Sequence, residues 1–196
     1  IGSRAPIHQS SITASDYALD SHAVRKREEG RVHLDGFLSY PSAVYTVPYG
    51  VMVPKEVGNL LLPVPVSGSH IGFSTLRMEP CWMAMGLAAG IASALSIDGK
   101  VKVQNIDLSR LQDKLVDQKA TLMYFKDVDY TSPHFRMVQY LGLRGYLPEW
   151  TARLQEPVDM ATLTAWKKLS GKDLPGIEAG KTTRLVALEM IYRKIK

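Results

Sequence analysis

An uncharged stretch of 18 residues, 80–97, limits what this chain can fold into more than any other feature. It lies between Glu79 and Asp98, and an acid followed by proline is typical of the first turn of a helix. The stretch is long enough to span a membrane, and Gly86 and Gly90 have the spacing of glycines that pair membrane helices. It is rich in Gly, Ala and Ser rather than Leu and Ile, however, and no aromatic belt marks its far end. We therefore predict a long buried helix packed against a sheet, and no membrane span.

The segments before this helix have the composition of β-strands. Residues 44–47 have high β-propensity and run into a Pro-Tyr-Gly turn signal, and residues 60–66 form a short apolar run after Asn59. Pro63 and Pro65 cannot donate to a ladder, so the second strand must end there or lie at a sheet edge.

The remainder of the chain has the signals of helices. These are caps or starts at Asp107, Pro133 and Asp159, a stop at Gly145, a last helix over 182–195, and an inward row of Leu163, Trp166 and Leu169. The composition changes near residues 121–129, which suggests a domain boundary. We predict an α+β chain: strands and the long buried helix in residues 1–122, and a small all-helical module in residues 123–196.

Composition narrows the classes of function. Among the 196 residues, 24 basic residues exceed 19 acidic ones, but the two signs are interspersed, which is typical of a solvated surface with a basic tail rather than of nucleic-acid binding. The single cysteine, Cys81, excludes an internal disulfide and a cysteine-based zinc site, and the five histidines show no metal-ligand spacing. A helix dipole can lower the pKa of a thiol in a first turn, but a buried structural thiol is the favoured interpretation of Cys81.

The segment from Ser67 into the long helix is the strongest candidate for a functional site. A loop of small residues leads to a helix N-terminus, which presents free N–H groups and a partial positive charge to an anion. Arg77 adds a permanent cation before the helix, and His70 lies in the same loop. A plain strand–loop–helix connection is the alternative. The sequence contains no Gly-x-Gly-x-x-Gly, and residues 180–182, Gly-Lys-Thr, lack the upstream glycine of a P-loop.

Several motifs in this part of the chain resemble one flavoprotein family. They are DSH at 20–22, PYGVMVPK at 48–55, NLLLPVPVSGSH at 59–70, STLRMEP at 74–80 and MGLAAG at 85–90. In this order they resemble the C-terminal part of bacterial FAD-dependent oxidoreductases often labelled "xanthan lyase", within the glutathione-reductase-like flavoprotein group. The resemblance covers roughly residues 10–125.

The resemblance implies a cofactor, FAD, and a set of site residues. The helix N-terminus would point at the pyrimidine end of the isoalloxazine and stabilise the negative charge of reduced flavin. The substrate would be a small molecule such as a sugar or hydroxyacid, and a hydride would pass between one of its carbons and the central nitrogen of the flavin. The implied flavin-bordering residues are Ser67, Ser74, Arg77, Met78, Glu79 and Pro80, and the implied catalytic residues, as proton donors or anion clamps, are His22, His70 and Arg77.

Two departures from the family pattern bear on what this chain does alone. Leu87 stands where the family usually has Gln, and the dinucleotide fingerprint of the N-terminal half is missing. We therefore expect a C-terminal fragment that holds FAD weakly or not at all without its nucleotide-binding half. Helix 80–97, whose Gly86 and Gly90 suit close packing, would meet that half or a second copy in a homo-oligomer. The compartment, bacterial cytoplasm or exterior, stays open because no leader is visible.

The C-terminal third has a resemblance of its own. YFKDV at 124–128, PHF at 133–135 and QYL-x-x-RGYL at 139–147 are similar to one S-layer-homology module, although residues 159–162 depart from its Thr-Arg-Ala-Glu motif. Such modules bind cell-wall polysaccharide in threes, so a single copy is expected to pack against the flavoprotein body. The alternative function for the chain is a non-enzymatic binding module that recognises a glycan or a protein partner.

Overall fold

The computed structural model describes residues 27–28, 31–32, 45–68 and 76–196. The described residues form two compact units, an N-terminal unit that ends at Leu111 and a C-terminal unit, Gln112–Lys196. The elements are β1 (Arg27–Glu28), β2 (Arg31–Val32), 3-10 helices at Tyr49–Met52 and Val103–Asn105, α1 (Glu79–Gly99), α2 (Leu108–Asp117), α3 (Phe135–Leu143), α4 (Met160–Ser170) and α5 (Arg184–Ile195). The strands β1 and β2 pair antiparallel, with Arg27 opposite Val32.

The prediction of a strand over residues 60–66 is wrong. Residues 46–68 contain a 3-10 helix and no strand. Residues 60–67 donate only two backbone hydrogen bonds to the 3-10 helix, from Leu62 N–H to Met52 O and from Ser67 N–H to Val51 O, each 2.8 Å. Since Pro63 and Pro65 have no N–H, the segment cannot continue a ladder. In the described part of the chain, the regular secondary structure is therefore helical apart from the two-residue strands β1 and β2.

The core of the N-terminal unit joins one face of α1 to the segments on either side. The buried apolar side chains are those of Tyr49, Met52, Val66, Leu76, Met85, Ala89, Ala92, Leu95, Val103 and Ile106. The Tyr49 hydroxyl donates to the Val103 carbonyl at 2.9 Å, and burial raises the pKa of Tyr49 to about 12. The Gln104 amide donates to Pro54 O and Val57 O at 2.8 and 2.9 Å. These bonds fix the 48–58 segment against the chain that follows α1.

The C-terminal unit is a helical bundle around Trp166, which is 1% exposed. Its indole N–H donates to Tyr146 O at 2.7 Å. Buried Gln139 accepts from the N–H groups of Leu122 and Met123, both at 2.8 Å, and donates to Met123 O at 2.7 Å. Both the oxygen and the nitrogen of this buried amide are therefore hydrogen-bonded to the loop at residues 122–123.

The helix signals of the sequence are confirmed at their caps. The Asp159 carboxylate accepts from Thr162 N–H at 2.8 Å, and that of Asp107 accepts from Ser109 N–H at 2.8 Å. The last helix starts two residues later than expected, because Thr183 is its N-cap. The prediction that Leu169 faces inward with Trp166 is wrong: Leu169 is 46% exposed, because α4 ends at Ser170 and its last turn leaves the core. The domain boundary at 122/123 stays a prediction.

Candidate functional site

The N-terminus of α1 is open. Its N-cap, Met78, has extended backbone angles and makes no side-chain capping bond, and the first helical hydrogen bond runs from Trp82 N–H to Met78 O at 3.1 Å. Pro80 has no N–H to satisfy. Within the described residues, the N–H groups of Glu79 and Cys81 have no acceptor. A helix start with free donors carries a partial positive charge that favours an anion or a carbonyl oxygen.

Most of the side chains around this helix start face solvent. Arg77, Met78, Glu79 and Pro80 are exposed, and no carboxylate within the described part of the chain pairs with the Arg77 guanidinium. Arg77 and Glu79 therefore place one cation and one anion beside the free N–H groups. The arrangement leaves room for a ligand to reach the helix end.

Trp82 ends the helix start that the family resemblance implies, residues 78–82, but the sequence did not single out its indole N–H. Its indole nitrogen is buried but has no hydrogen-bond partner among the described residues. A buried N–H without an acceptor is costly, so such a group is usually completed by a further ligand or segment. The signal that could have found it is an aromatic side chain with a polar N–H in the first turn of an otherwise small-residue helix.

The structure brings together part of the predicted site. Arg77, Met78, Glu79 and Pro80 lie consecutively at the start of α1. Ser67 is exposed, and its backbone N–H donates to Val51 O rather than to any of these four residues. The other predicted site residues, His22, His70 and Ser74, lie outside the described residues. As for metals, the described residues contain no group of three or more His, Cys, Asp or Glu side chains that could hold an ion.

Cys81 has the properties of a structural thiol. Burial raises the pKa of the Cys81 thiol above its usual value. A thiol with a raised pKa has less thiolate at a given pH and is a poorer nucleophile.

We expect slow alkylation of Cys81 by iodoacetamide at pH 8 in the folded chain. The rate for the folded chain should keep rising to a higher pH than the rate for the same chain in urea. Because the folded-state pKa is the higher one, the thiol also destabilises the fold as pH rises past the unfolded-state value. Equal rates for the folded and the urea-unfolded chain would show that Cys81 is not shielded.

The face of α1 that turns away from the core is apolar and exposed, which corrects the prediction of a buried helix. This outer face comprises Met83, Leu87, Gly90, Ala94 and Ile97; Met83 and Ile97 are each 75% exposed. The expected close packing at Gly86 and Gly90 is also missing among the described residues, since a Cβ at either position would meet no atom within 4 Å. Within the described part of the N-terminal unit, only one face of the helix is covered.

The length and apolarity of α1 are also those of a membrane-spanning helix. Among the described residues it is the one helix whose length and apolarity suffice to cross a bilayer, by composition only. The core helix of a soluble protein can meet the same criteria. The buried row on the opposite face, which includes Met85, Ala89 and Ala92, shows that one side of α1 packs against protein.

Comparison with known proteins assigns the family. A family model described as FAD dependent oxidoreductase matches residues 3–115, which is more than half of the chain and includes all of α1. The chain belongs to the FAD-dependent oxidoreductase family, whose members use FAD. Searches of curated proteins and of solved structures each gave no match. The family match ends before residue 123, so the S-layer-homology resemblance stays a prediction, as does the "xanthan lyase" label.

Proposed function

We propose that this chain supplies the flavin-ring side of a FAD-dependent oxidoreductase and that a separate nucleotide-binding half of the same protein holds the ADP end. The observation that carries the proposal is the open N-terminus of α1. It lies inside the family-matched segment, carries free N–H groups and follows directly on the exposed Arg77. A FAD-binding family gives such an end a specific anion to stabilise, the reduced flavin ring.

The groups at the start of α1 fit the pyrimidine end of an isoalloxazine, which carries carbonyl oxygens and gains negative charge on reduction. The N–H groups of Glu79 and Cys81 and the indole N–H of Trp82 are donors that lack acceptors in the described part of the chain. The fit does not extend to the pyrophosphate, because the sequence has no Gly-x-Gly-x-x-Gly to approach it. We therefore restrict the role of this chain to the ring and the substrate side.

When bound, FAD supplies the acceptor for a hydride from a carbon of the substrate. The chain's own contribution is a positive potential at the helix end and a fixed cation at Arg77, which together favour negative charge on the ring or on an acidic substrate group. A small sugar or hydroxyacid is the proposed substrate. The proposed ring-bordering residues are Ser67, Ser74, Arg77, Met78, Glu79 and Pro80. His22 and His70 are proposed to take up the proton that the substrate loses with the hydride, or to clamp an anionic group of the substrate.

The outer face of α1 supports the proposal of a missing half. A helix that is apolar all round is normally buried on all sides, yet Met83, Leu87 and Ile97 are exposed and Gly90 is open to close approach. We propose that the nucleotide-binding half covers this face in the whole protein, and that α1 therefore does not span a membrane. A second copy of the chain is the alternative cover.

The proposal is tested by the affinity of the full chain for oxidised and for dithionite-reduced FMN, measured by anaerobic equilibrium dialysis. We expect weak binding, with reduced FMN bound more tightly. Arg77→Gln should lower the ratio of the two affinities about two- to fivefold, the effect of one charge near a helix end. Because the phosphate is present in both redox states, the ratio cancels its attraction to Arg77.

Arg110→Gln is the matched control, since Arg110 is an exposed arginine of the same unit that lies far from residue 77 in sequence. It should leave the ratio unchanged. Equal affinity for the two redox states, or a ratio that Arg110→Gln changes as much as Arg77→Gln does, would contradict the proposed role. Tight stoichiometric binding of FAD would contradict the division between two halves.

A further inference from the structure

The C-terminal ends of three helices meet at one end of the C-terminal unit. The Tyr140 hydroxyl, near the end of α3, donates to Ile195 O at the end of α5 (3.4 Å). Just after α4, the Lys172 ammonium donates to Lys194 O (3.3 Å), and the Lys194 ammonium donates back to Asp173 O (3.4 Å). The ends of α3, α4 and α5 are therefore adjacent.

Cations concentrate at this end. We call it the basic end and define it as Arg144 after α3, Lys167 and Lys168 in the last turn of α4, Lys172 just after α4, and Lys194 and Lys196 at the end of α5. Among the described residues none of the six has an ion-pair partner, and Asp173 contributes its backbone carbonyl to the Lys194 ammonium. Helix C-termini attract cations, but each carries only about half a negative charge, so six cations leave a clear positive excess. The cluster is invisible along the sequence, where its members are spread over 53 positions.

We propose that the basic end binds the surface of an anionic membrane. Five of its six cations are lysines, which act as point charges on flexible stems and suit a diffuse charged surface better than a shaped anion. Leu169, 46% exposed, lies between Lys168 and the residues that follow α4, so an apolar side chain is available to the interfacial region.

A nucleic acid fits the basic end less well. Proteins that bind single strands present aromatic rings for bases to stack on. Here the ring of Tyr140 carries the Arg144 guanidinium at 3.4 Å, and the ring of Tyr192 carries the Lys196 ammonium at 5.1 Å. The aromatic surface of the basic end is already engaged by its own cations.

The test is co-sedimentation of the full chain with phosphatidylcholine vesicles that contain or lack phosphatidylglycerol. We expect binding only to the anionic vesicles, lost in 1 M salt, where charges are screened beyond about 3 Å. The double variant Lys167→Gln/Lys168→Gln should bind about 25-fold more weakly, at roughly fivefold for each lysine near an anionic surface. Leu169→Ser should also weaken binding, and by the same factor at each salt concentration at which binding can be measured, because the apolar contact is not screened.

The matched control is Lys114→Gln/Lys126→Gln, which removes two exposed lysines of the same unit outside the basic end. It should bind as the unsubstituted chain does, and far-UV circular dichroism confirms that both variants keep their helices. The proposal is overturned if the chain ignores anionic vesicles at low salt, if the control loses as much affinity as the test variant, or if the chain binds a DNA oligonucleotide but not the vesicles.

Discussion

The substitution Ala92→Asp is expected to unfold the N-terminal unit. Ala92 is fully buried on the inner face of α1, where its neighbours in the helix, Ala89 and Leu95, are buried as well. A carboxylate at this position would be buried without a partner, which costs about 3–5 kcal/mol. Trp82 is the one tryptophan before residue 150, so its resolved indole NMR signal reports on this unit alone.

The matched variant is Ala94→Asp, the same change two residues further along the same helix. Ala94 lies on the outer face and is exposed, so we expect a loss of about 0.7 kcal/mol from the lower helix propensity of aspartate. Urea unfolding followed at Trp82 compares the two. Equal destabilisation would mean that the outer face is covered within the chain itself, and the proposed cover by a nucleotide-binding half would lose its support.

We expect Trp166→Ala to destabilise the C-terminal unit by about 3–5 kcal/mol, the cost of deleting a large buried aromatic side chain. Trp166 fills the centre of the bundle, and its ring also lies 5.3 Å from the guanidinium of the buried Arg184. The loss would leave a cavity between α4 and the segments packed on it. Urea unfolding followed by far-UV circular dichroism measures the effect.

Trp166→Phe separates packing from hydrogen bonding. It keeps most of the apolar volume but leaves the Tyr146 carbonyl without the indole donor, so we expect a loss of about 1–3 kcal/mol. If the alanine variant were no less stable than the phenylalanine variant, the bundle would not be organised around this side chain.

Helix ends could be predicted from the sequence because their signals are local. Asp107 and Asp159 each accept a hydrogen bond from an N–H two or three residues away, so the cap and its partner lie in one short window. The same holds for the acid and proline that open α1. No knowledge of distant segments is needed to recognise them.

Burial and strand pairing could not be predicted in the same way, because they depend on segments far apart in the chain. The apolar run at 60–66 looks like a strand, but it meets a 3-10 helix and offers two prolines in place of donors. The uncharged stretch of α1 suggests burial on all sides, although the described part of the N-terminal unit covers only one. The apolar composition of α1 indicates that its outer face is covered in the whole protein, but it does not identify the segment that covers it.

The local part of the candidate site could be predicted from the sequence, and the part that depends on packing could not. Arg77 and the first turn of α1 followed from the loop-to-helix pattern, since a helix start has the same electrostatics wherever it lies. The unpaired indole N–H of Trp82 could not be predicted, because only the tertiary packing shows that it is buried without an acceptor among the described residues. The roles of His22, His70 and Ser74 stay predictions.

The most direct test of the flavin role is an NMR titration of the full chain with FAD, followed at the backbone amides and the three indole N–H signals. We predict weak binding in fast exchange, with shifts at Arg77, Met78, Glu79 and the Trp82 indole. The Trp166 indole, bonded to Tyr146 O in the other unit, serves as the internal reference and should not move. An unperturbed start of α1, or shifts confined to the C-terminal unit, would contradict the account.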